Sequence, residues 1–432
     1  MGQSTCNIGQ RRRLAALALW AAVAIPLHAA SDEPASAEGR ELTATRADPQ
    51  WDAAFTRTQG WTGGDVIGSV ELNDGRTVWM FGDSWVGRVA DGKHVPGSRL
   101  VNNSIAIHRS HPGRLDEPPA ADELEFYWGS NDRDGHPTAW IVPRSAKGQA
   151  EAGPSGHSPP TWFWTTGGGV LLPKHQGAAR LVLFLFHVGR RNDENSVWNF
   201  EHLGSAMAIV DNPGDRAENW KFRQLSIPYA ISAKQSRLDP RREQTSWGMA
   251  AFVDSDAESP GTQFVYIYGV RESRQTGKRA VLARVSPADI EQFARWQFYL
   301  GGGRWTSDPS KAVTIADEIV SEFSVHRHKG SGHPQFVMVH SQPVFGTEIL
   351  IRTAPRPQGP WSDPVSVYKV PDVERNATYF TYAAKGHAHL SRPGELLLSY
   401  VVNSHDFKSM VDDASIYRPR FVRVPLSALG FE

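Results

Sequence analysis

The sequence predicts an all-β protein folded as a five-bladed β-propeller, with about four antiparallel strands in each blade. Three observations lead to this prediction. From Trp51 onward, short β-rich runs alternate with turn signals. A unit of about four such runs recurs five times, and no linker divides the chain. Repeated four-stranded units of this kind are typical of propellers.

The first unit opens with a well-marked hairpin. Residues 66–72 and 77–81 are rich in β-branched and aromatic side chains, and Asn73-Asp74-Gly75 separates them. A short polar turn containing Asp-Gly between two such runs is a strong hairpin signal. We therefore expect residues 65 and 83, at the open end of the hairpin, to lie side by side.

Related runs follow along the whole chain. The expected inner strands lie near residue 65 and within 164–169, 247–252, 322–326 and 385–390. The last unit ends after its third strand, so a segment near residues 54–57 is expected to supply the fourth and close the ring, which removes an exposed edge. A pair of β-sandwiches is the alternative, but the repeat crosses every possible midpoint boundary. Residues 287–296 are the clearest candidate for a helix.

The N-terminus predicts export. Arg11-Arg12-Arg13 precede an apolar run at 14–27, and small residues follow. This is the pattern of a secretory signal peptide, and the run is shorter than the roughly 20 residues that an uncleaved membrane anchor would need. We predict a signal peptide at 1–30, a flexible tether at 31–50, a single domain at 51–432, and a secreted or periplasmic protein without a membrane span after cleavage.

Composition narrows the possible functions. Lys plus Arg and Asp plus Glu both number 46, and three of the arginines fall in the predicted signal peptide. A protein that binds nucleic acid normally has a basic excess, so we expect no nucleic-acid partner. Cys6, the only cysteine, also lies in the signal peptide, which excludes disulfides, thiolate metal sites and cysteine nucleophiles from the mature chain. We expect a monomer.

Carboxylates at blade ends are the strongest candidates for chemistry. Asp65 and Asp83 lie at the open end of the first hairpin, and Glu322 begins the fourth inner strand. Glycoside hydrolysis requires two carboxylates, one as acid and one as nucleophile or base, and a neighbouring acid raises its partner's pKa. The alternative is that these acids only cap turns and backbone amides.

Sugar recognition requires flat apolar faces and planar hydrogen-bonding groups. Residues of these types are expected at the same end of the ring, although about half of the aromatic ones could serve in packing between blades. They are Trp61, Trp85, Asn103, Trp164, His187, Trp247, Tyr268, His387, Tyr400 and Asn403. Arg420 could point into the funnel or hold the closing strand by ion pairs.

Two other motifs suggest different chemistry. Phe81-Gly-Asp-Ser-Trp85 is similar to the nucleophile block of GDSL-type esterases, with Ser84 as the nucleophile. That fold needs several helices and an Asp-x-x-His near the C-terminus to activate the serine, and the sequence shows neither. His326, His328 and His333 suggest a metal site, but their spacing indicates the turn of a hairpin.

Several segments together resemble a family of secreted bacterial five-bladed propellers, formerly a domain of unknown function, that includes endo-D-arabinanases. The similarity covers about residues 51–426 and rests on the following motifs: Trp61-Thr-Gly-Gly-Asp-Val, Asp74-Gly-Arg-Thr-Val-Trp-Met-Phe-Gly-Asp83, Asn103-Ser-Ile, Trp247-Gly, Tyr266-Ile-Tyr-Gly-Val, Ala283-Arg284, Gly359-Pro-Trp361 and Tyr417-Arg-Pro-Arg-Phe-Val. The resemblance implies that the family's paired aspartates correspond to Asp65 and Asp83. The long segment at 110–160 departs from the family.

These observations predict an exported glycoside hydrolase that cleaves a furanose-containing polysaccharide, with Asp65, Asp83 and Glu322 as its carboxylates. A glycan-binding propeller without catalysis is the alternative, and a serine esterase is a weaker one. No cofactor is expected to be required, and a structural calcium ion in the central channel is compatible with a ring of this kind.

Overall fold

The computed structural model describes residues 45–109, 116–144, 161–175, 178–191, 199–239, 241–256, 259–273, 275–328 and 336–429. In this part the chain is all-β, with six antiparallel sheets, three short α-helices and several 3₁₀ turns. The predicted signal peptide, most of the predicted tether and His333 lie outside the described residues. No helix in the described ranges is long and apolar enough to cross a membrane.

The N-terminal third contains one helix and nine strands. They are β1 (Arg46–Ala47), α1 (Pro49–Ala54), β2 (Gln59–Gly64), β3 (Gly68–Glu71), β4 (Arg76–Phe81), β5 (Ser84–Ala90), β6 (Lys93–His94), β7 (Arg99–Val101), β8 (Ser104–Arg109) and β9 (Leu124–Tyr127).

The rest of the described chain adds sixteen strands and two helices. They are β10 (Thr161–His175), β11 (Ala178–Arg190), β12 (Phe200–Val210), β13 (Phe222–Ile227), α2 (Ala233–Leu238), β14 (Gln244–Asp256), β15 (Ser259–Ser273), β16 (Gly277–Val285), β17 (Gln297–Gly301), β18 (Arg304–Thr306), β19 (Phe323–Arg327), β20 (Phe336–Ser341), β21 (Glu348–Ala354), β22 (Val365–Lys369), β23 (Tyr379–Gly386), β24 (Glu395–Ser404), α3 (Phe407–Asp412) and β25 (Arg420–Pro425).

Five of the sheets repeat one plan, in which antiparallel neighbours follow in chain order. Sheet I has the order β3-β4-β8-β9, sheet II β10-β11-β12-β13, sheet III β14 to β18, sheet IV β19 to β22, and sheet V β23-β24-β25-β1. The sixth, called here the accessory sheet, has the order β2-β5-β6, with β7 also paired to β5. The repeated four-stranded unit predicted from the sequence is therefore present.

The first strands of the five sheets contact one another in succession. β3 contacts β10, β10 contacts β14, β14 contacts β19, and β19 contacts β23. His387, directly after β23, then hydrogen-bonds Ser69 on β3 through Nδ1 and Oγ, 2.6 Å apart. The segments that begin the five sheets therefore lie together, and apolar side chains fill the spaces between adjacent sheets.

Large apolar groups hold neighbouring sheets together. Phe184 of sheet II and Trp247 of sheet III belong to one buried cluster, and Val339 of sheet IV and Leu397 of sheet V belong to another. Each buried side chain of this size stabilises the fold by about 1.5–3 kcal/mol relative to exposure. The sheet-to-sheet interfaces, rather than one central core, therefore carry the hydrophobic stabilisation.

The predicted hairpin is confirmed. β3 and β4 pair in the register Gly68↔Met80 to Glu71↔Thr77, and the turn contains Gly75 at φ +80°. At the open end, the Asp65 N–H donates to the Asp83 carbonyl at 3.2 Å, and the Gly82 N–H donates to the Asp65 carbonyl at 3.1 Å. The two aspartates therefore lie side by side, as turn geometry predicts.

The N-terminal strand is not where the sequence suggested. β1 pairs Arg46 with Arg423 and Ala47 with Val422, whereas Ala54 is the last residue of α1 and residues 55–57 lead into the accessory sheet. Asp48 caps α1 by accepting from two backbone N–H groups, so the pairing segment ends before the helix begins. The expectation of a strand at 54–57 is wrong, as is that of a tether up to residue 50.

The predicted helix at 287–296 is also wrong. The segment forms two separate 3₁₀ turns, Pro287–Asp289 and Phe293–Arg295, because Gln292 leaves the helical region at φ −90°, ψ 79°. Trp296 is buried, and its indole N–H donates to the Ile290 carbonyl at 2.9 Å. The apolar residues whose spacing suggested a helix instead form this tight turn, which buried Trp296 holds in place.

Candidate active site

Asp65 occupies a sharp change of chain direction between two sheets. It lies between β2 of the accessory sheet and β3 of sheet I, and the next two residues, Val66 and Ile67, have φ of +70° and +49°. Positive φ is rare for β-branched residues and stores strain that the surroundings must hold. The backbone here is thus fixed in an unfavourable conformation that presents the Asp65 side chain.

The Asp65 carboxylate is fully buried and bonded on one oxygen only. Its Oδ2 accepts hydrogen bonds from the hydroxyls of Tyr382 and Tyr417, each at 2.7 Å. Its Oδ1 has no hydrogen-bond partner among the described residues. Two phenols from sheet V and from the loop before β25 therefore orient Asp65 and leave one oxygen unbonded.

Asp83 is arranged in the same way by different donors. It joins β4 of sheet I to β5 of the accessory sheet, and its side chain is also fully buried. Oδ1 accepts from the indole N–H of Trp164 at 2.7 Å and from the Asn102 amide at 3.2 Å. Oδ2 has no partner within the described ranges. An indole N–H can only donate, so a proton on Asp83 would lie on Oδ2.

Glu322 and Lys385 complete the charged cluster. Glu322 is partly exposed and lies directly before β19. Lys385 on β23 is only 1 % exposed, and its Nζ donates to the carbonyls of Thr166 at 3.1 Å and Phe323 at 3.0 Å. One lysine from sheet V therefore contacts the backbone of sheets II and IV.

Burial and mutual repulsion shift the ionisation of these groups. Burial, reinforced by the charge of Glu322, raises the pKa of Asp65 to about 7. Burial and the charge of Asp65 raise the pKa of Asp83 well above its ordinary value. Burial also raises the pKa of Glu322, against the attraction of Lys385 and Lys278, and it lowers the pKa of Lys385 to about 8. The cluster can therefore hold and exchange protons near neutral pH.

Two of the residues predicted to bind sugar belong to this cluster. Trp164 donates to Asp83, and the Asn403 amide donates to the Tyr382 hydroxyl at 3.3 Å. The sequence analysis missed Tyr382, Tyr417, Asn102 and Lys385. Tyr417 stood in a motif that was noted for its arginines, and the other three carried no signal of their own.

The other predicted aromatic groups lie in the packed interior. Trp61 stacks on Phe126, Trp85 stacks on His94, and Trp247 and Tyr268 donate to the carbonyls of Tyr229 and Pro357. Tyr400 is 3 % exposed and packs on Tyr368. The expectation that these five form a sugar platform is corrected, because their faces are covered by the chain itself.

The remaining predicted polar residues mostly have structural partners. The Asn103 side chain makes three hydrogen bonds with the backbone of Ile141 and Phe163, and buried His387 bridges Ser69 and Ser399. Arg420 pairs with Asp52 at 3.3 Å, so it ties β25 to α1 rather than pointing into a site. The sugar-binding expectation for these three is therefore corrected. His187 stays partly exposed, 5.3 Å between ring centroids from Phe163.

The structure does not favour the serine esterase. Ser84 is buried, and its hydroxyl donates to the Gly82 carbonyl at 2.9 Å and lies 2.8 Å from the Ser104 hydroxyl, so no histidine within the described ranges is hydrogen-bonded to it. No group of three or more His, Cys, Asp or Glu in the described residues is arranged to hold a metal ion.

Comparison with known proteins identifies the family. Residues 48–426 match the family described as DUF5005, a domain of unknown function, so the chain belongs to that family. A search of curated proteins gives no match.

Solved structures show the fold. A Bacteroides ovatus protein inferred to be a hydrolase is 19 % identical, with a TM-score of 0.62 over 88 % of this chain and 89 % of that one. This similarity shows a shared fold. More distant is a family-43 β-1,3-galactosidase with galactodeoxynojirimycin, at 11 % identity and a TM-score of 0.40, over 85 % of this chain and 93 % of that one. An exo-β-1,3-galactanase from Phanerochaete chrysosporium is 7 % identical, with a TM-score of 0.39 over 84 % of this chain and 60 % of that one.

Proposed function

We propose that the protein is an exported glycoside hydrolase whose five principal sheets are the blades of a propeller closed by β1, and that it cleaves a furanose-containing polysaccharide of the arabinan type. The observation that carries the proposal is the pair of buried aspartates, Asp65 and Asp83, each with one oxygen unbonded and a raised pKa. The substrate class rests on the motif resemblance, since the structural comparison supports only the fold.

The surroundings of the two carboxyl groups favour distinct roles. Burial and the charge of Asp65 raise the pKa of Asp83 and favour its protonated form, and that proton would lie on Oδ2. The pKa of Asp65 is about 7, and two phenol hydroxyls stabilise its anion. Asp83 is therefore the proposed acid that protonates the leaving oxygen, and Asp65 the proposed nucleophile or base.

Substrate access requires a local movement. Neither aspartate has exposed surface, and Asn102, which is partly exposed, makes the longer of the two bonds to Asp83. We propose that a sugar hydroxyl displaces the Asn102 amide when the glycan binds. Trp164 would remain in place, because its indole is buried against Phe200 and Trp162.

The test is product release from a panel of arabinans, galactans and pyranose polymers. Wild type should release oligosaccharides from one of them, and Asp65→Asn and Asp83→Asn should each reduce the rate about 10²–10⁴-fold. Asp122→Asn is the matched control, because Asp122 is exposed and makes no contact with the cluster. Equal rates for wild type and Asp65→Asn would refute the assignment. NMR of the first product would show whether the anomeric configuration is retained or inverted.

A non-catalytic glycan-binding propeller is the second candidate, and the complete burial of both aspartates favours it. It predicts glycan binding, measured by calorimetry, that survives the double substitution Asp65→Asn/Asp83→Asn, together with no product from wild type. Export, the monomeric state and a calcium requirement are further proposals. N-terminal sequencing of the exported protein, light scattering and treatment with a chelator test them in turn.

A further inference from the structure

A cavity of about 740 Å³ is lined by residues from the first strand of every principal sheet or from the turn that follows it. Three of these segments begin at the carboxylate cluster, since β3 follows Asp65, β19 follows Glu322, and Trp164 near the start of β10 donates to Asp83. Most lining residues lie further along the segments, within 69–73, 167–171, 249–253, 324–328 and 388–396. The cavity therefore lies at the opposite end of the first strands from the aspartates.

Sheets I, II and III touch through their backbones at the level where the cavity begins. A Cβ placed on Gly68 would lie 2.2 Å from the Gly167 carbonyl oxygen, and one on Gly168 would lie 1.9 Å from that of Gly248. Only glycine allows backbones to approach this closely. The Thr166-Gly-Gly-Gly169 run in the sequence is thus explained by packing between the sheets.

Lys385 crosses the space between the other sheets at the same level. From β23 of sheet V, its Nζ donates to the carbonyl of Thr166 in sheet II and to that of Phe323 in sheet IV. Both of these residues directly precede residues that line the cavity, whereas Asp65 and Asp83 do not line it. The cavity is therefore a separate space from the candidate active site.

The charged side chains that line the cavity leave one carboxylate unpaired. They are two arginines and two glutamates, so their formal charges cancel. Arg327, Arg392 and Glu395 each have an ion-pair partner outside the lining. Glu71, at the end of β3, is exposed and has neither an ion pair nor a side-chain hydrogen bond with any described residue. Its carboxylate is thus available to a ligand.

The other lining groups are uncharged. Burial lowers the pKa of His326 to about 4 and also lowers that of His328, so both imidazoles are neutral near pH 7. Asn73, in the turn between β3 and β4, is exposed, and within the described ranges its amide has no hydrogen-bond partner. Phe252 packs on Phe336 and stays partly exposed. The cavity thus combines neutral hydrogen-bonding groups with apolar surface.

We propose that this cavity is a second carbohydrate site that binds an uncharged oligosaccharide, with the Glu71 carboxylate accepting hydrogen bonds from two neighbouring hydroxyls. A carboxylate beside neutral polar groups suits a polyol, because its two oxygens can accept from adjacent hydroxyls. The volume also lies in the range of roughly 300–1,000 Å³ that is typical of ligand pockets. The inference goes beyond the proposed function, because such a site needs no contribution from Asp65 or Asp83.

Calorimetry of the full chain tests the proposal, with oligosaccharides from the arabinans, galactans and pyranose polymers of the panel as uncharged probes. The host is Asp65→Asn/Asp83→Asn, so that no probe is cleaved. Adding Glu71→Ala should weaken binding at the cavity about 10–100-fold, because hydrogen bonds to a charged group are lost. Glu218→Ala is the matched control, since Glu218 is also exposed but does not line the cavity.

An oligogalacturonate, in which each sugar carries a carboxylate, is the charged comparison. It should not bind at the cavity, because Glu71 would repel it. Binding of the uncharged probes that Glu71→Ala leaves unchanged would overturn the proposal, as would an oligogalacturonate that binds with equal affinity through Glu71. Absence of binding by every uncharged probe would overturn it as well.

The result is independent of the proposed activity. Binding that is sensitive to Glu71→Ala, in a protein that cleaves no polymer, would refute the hydrolase and leave the second site intact. Product release by a protein whose glycan binding ignores Glu71→Ala would do the reverse. In an active enzyme, Glu71→Ala should raise KM for the polymer and leave kcat unchanged, because Glu71 lies away from the aspartates.

Discussion

Arg423 on β25 and Lys385 on β23 are both nearly inaccessible to solvent, but they face different sets of carboxylates. Arg423 donates to Asp48 at 2.5 Å and to the Asp116 carbonyl at 3.2 Å, and it lies 3.7 Å from Glu395. Lys385 lies beside a cluster of three acids and donates only to carbonyl oxygens among its described partners. At the Arg423 site, the buried arginine and the carboxylates around it form ion pairs. At the Lys385 site, one lysine stands against three carboxyl groups.

The two sites have different roles in the protein. Asp48 begins α1 and Arg423 lies where β1 joins sheet V, so this ion pair ties the N-terminus to the last sheet. The carboxylate cluster also joins sheets, through the hydrogen bonds of Tyr382 and Tyr417 to Asp65 and of Lys385 to two backbone carbonyls, but the pKa values of its carboxyl groups are raised. Buried acids that keep a proton near neutral pH lower stability at that pH, a cost that is typical of functional sites.

Breaking the Arg423–Asp48 ion pair should have the largest effect on the free energy of unfolding. Arg423→Met leaves Asp48 buried without its partner and should lower the free energy of unfolding by about 3–5 kcal/mol, measured by urea titration. Arg420→Met on the same strand is the control. Arg420 and Asp52 keep about a fifth of their side-chain surface exposed, so that variant should lose about 1 kcal/mol or less. Equal losses would show that burial does not distinguish the two pairs.

The same comparison shows what the sequence could and could not predict. Turn chemistry between β3 and β4 is local, so it predicted the register and the approach of Asp65 to Asp83. Tyr382 and Tyr417 reach Asp65 across 317 and 352 residues, and no local pattern encodes such a contact. Strand periodicity also does not show whether an aromatic side chain points toward a neighbouring sheet or toward the site. Trp61 was assigned to the site for this reason.

Removing the unpaired charge of Asp65 should raise the free energy of unfolding, whereas removing the charge of Arg423 should lower it. Asp65 has a folded pKa of about 7 against an ordinary value of 3.8, so the folded state binds more protons between these values. Its contribution to stability is complete below about pH 4 and is lost as pH rises through 7. Asp65→Asn lacks this loss and should exceed wild type by about 2–4 kcal/mol at pH 8, but not at pH 4.

Urea titrations at the two pH values measure this difference, with Asp122→Asn as the exposed control. The asparagine oxygen can still accept from both phenols, so the hydrogen bonds to Tyr382 and Tyr417 are retained. Lower stability than wild type at both pH values would mean that Asp65 is a structural acceptor, and it would remove the physical basis for its catalytic role.

The smallest effect should come from the phenols, and a matched pair of tyrosines isolates it. Tyr382 donates to Asp65, whereas Tyr268, equally buried, donates to the Pro357 carbonyl at 2.6 Å. Either Tyr→Phe substitution should cost about 1 kcal/mol of stability for the lost hydrogen bond. Only Tyr382→Phe should also raise the pKa of Asp65, because the Tyr382 hydroxyl stabilises the anion. The decline of stability with rising pH should then end less than one pH unit higher than in wild type. An identical pH profile for the two variants would mean that the hydroxyl of Tyr382 serves packing alone.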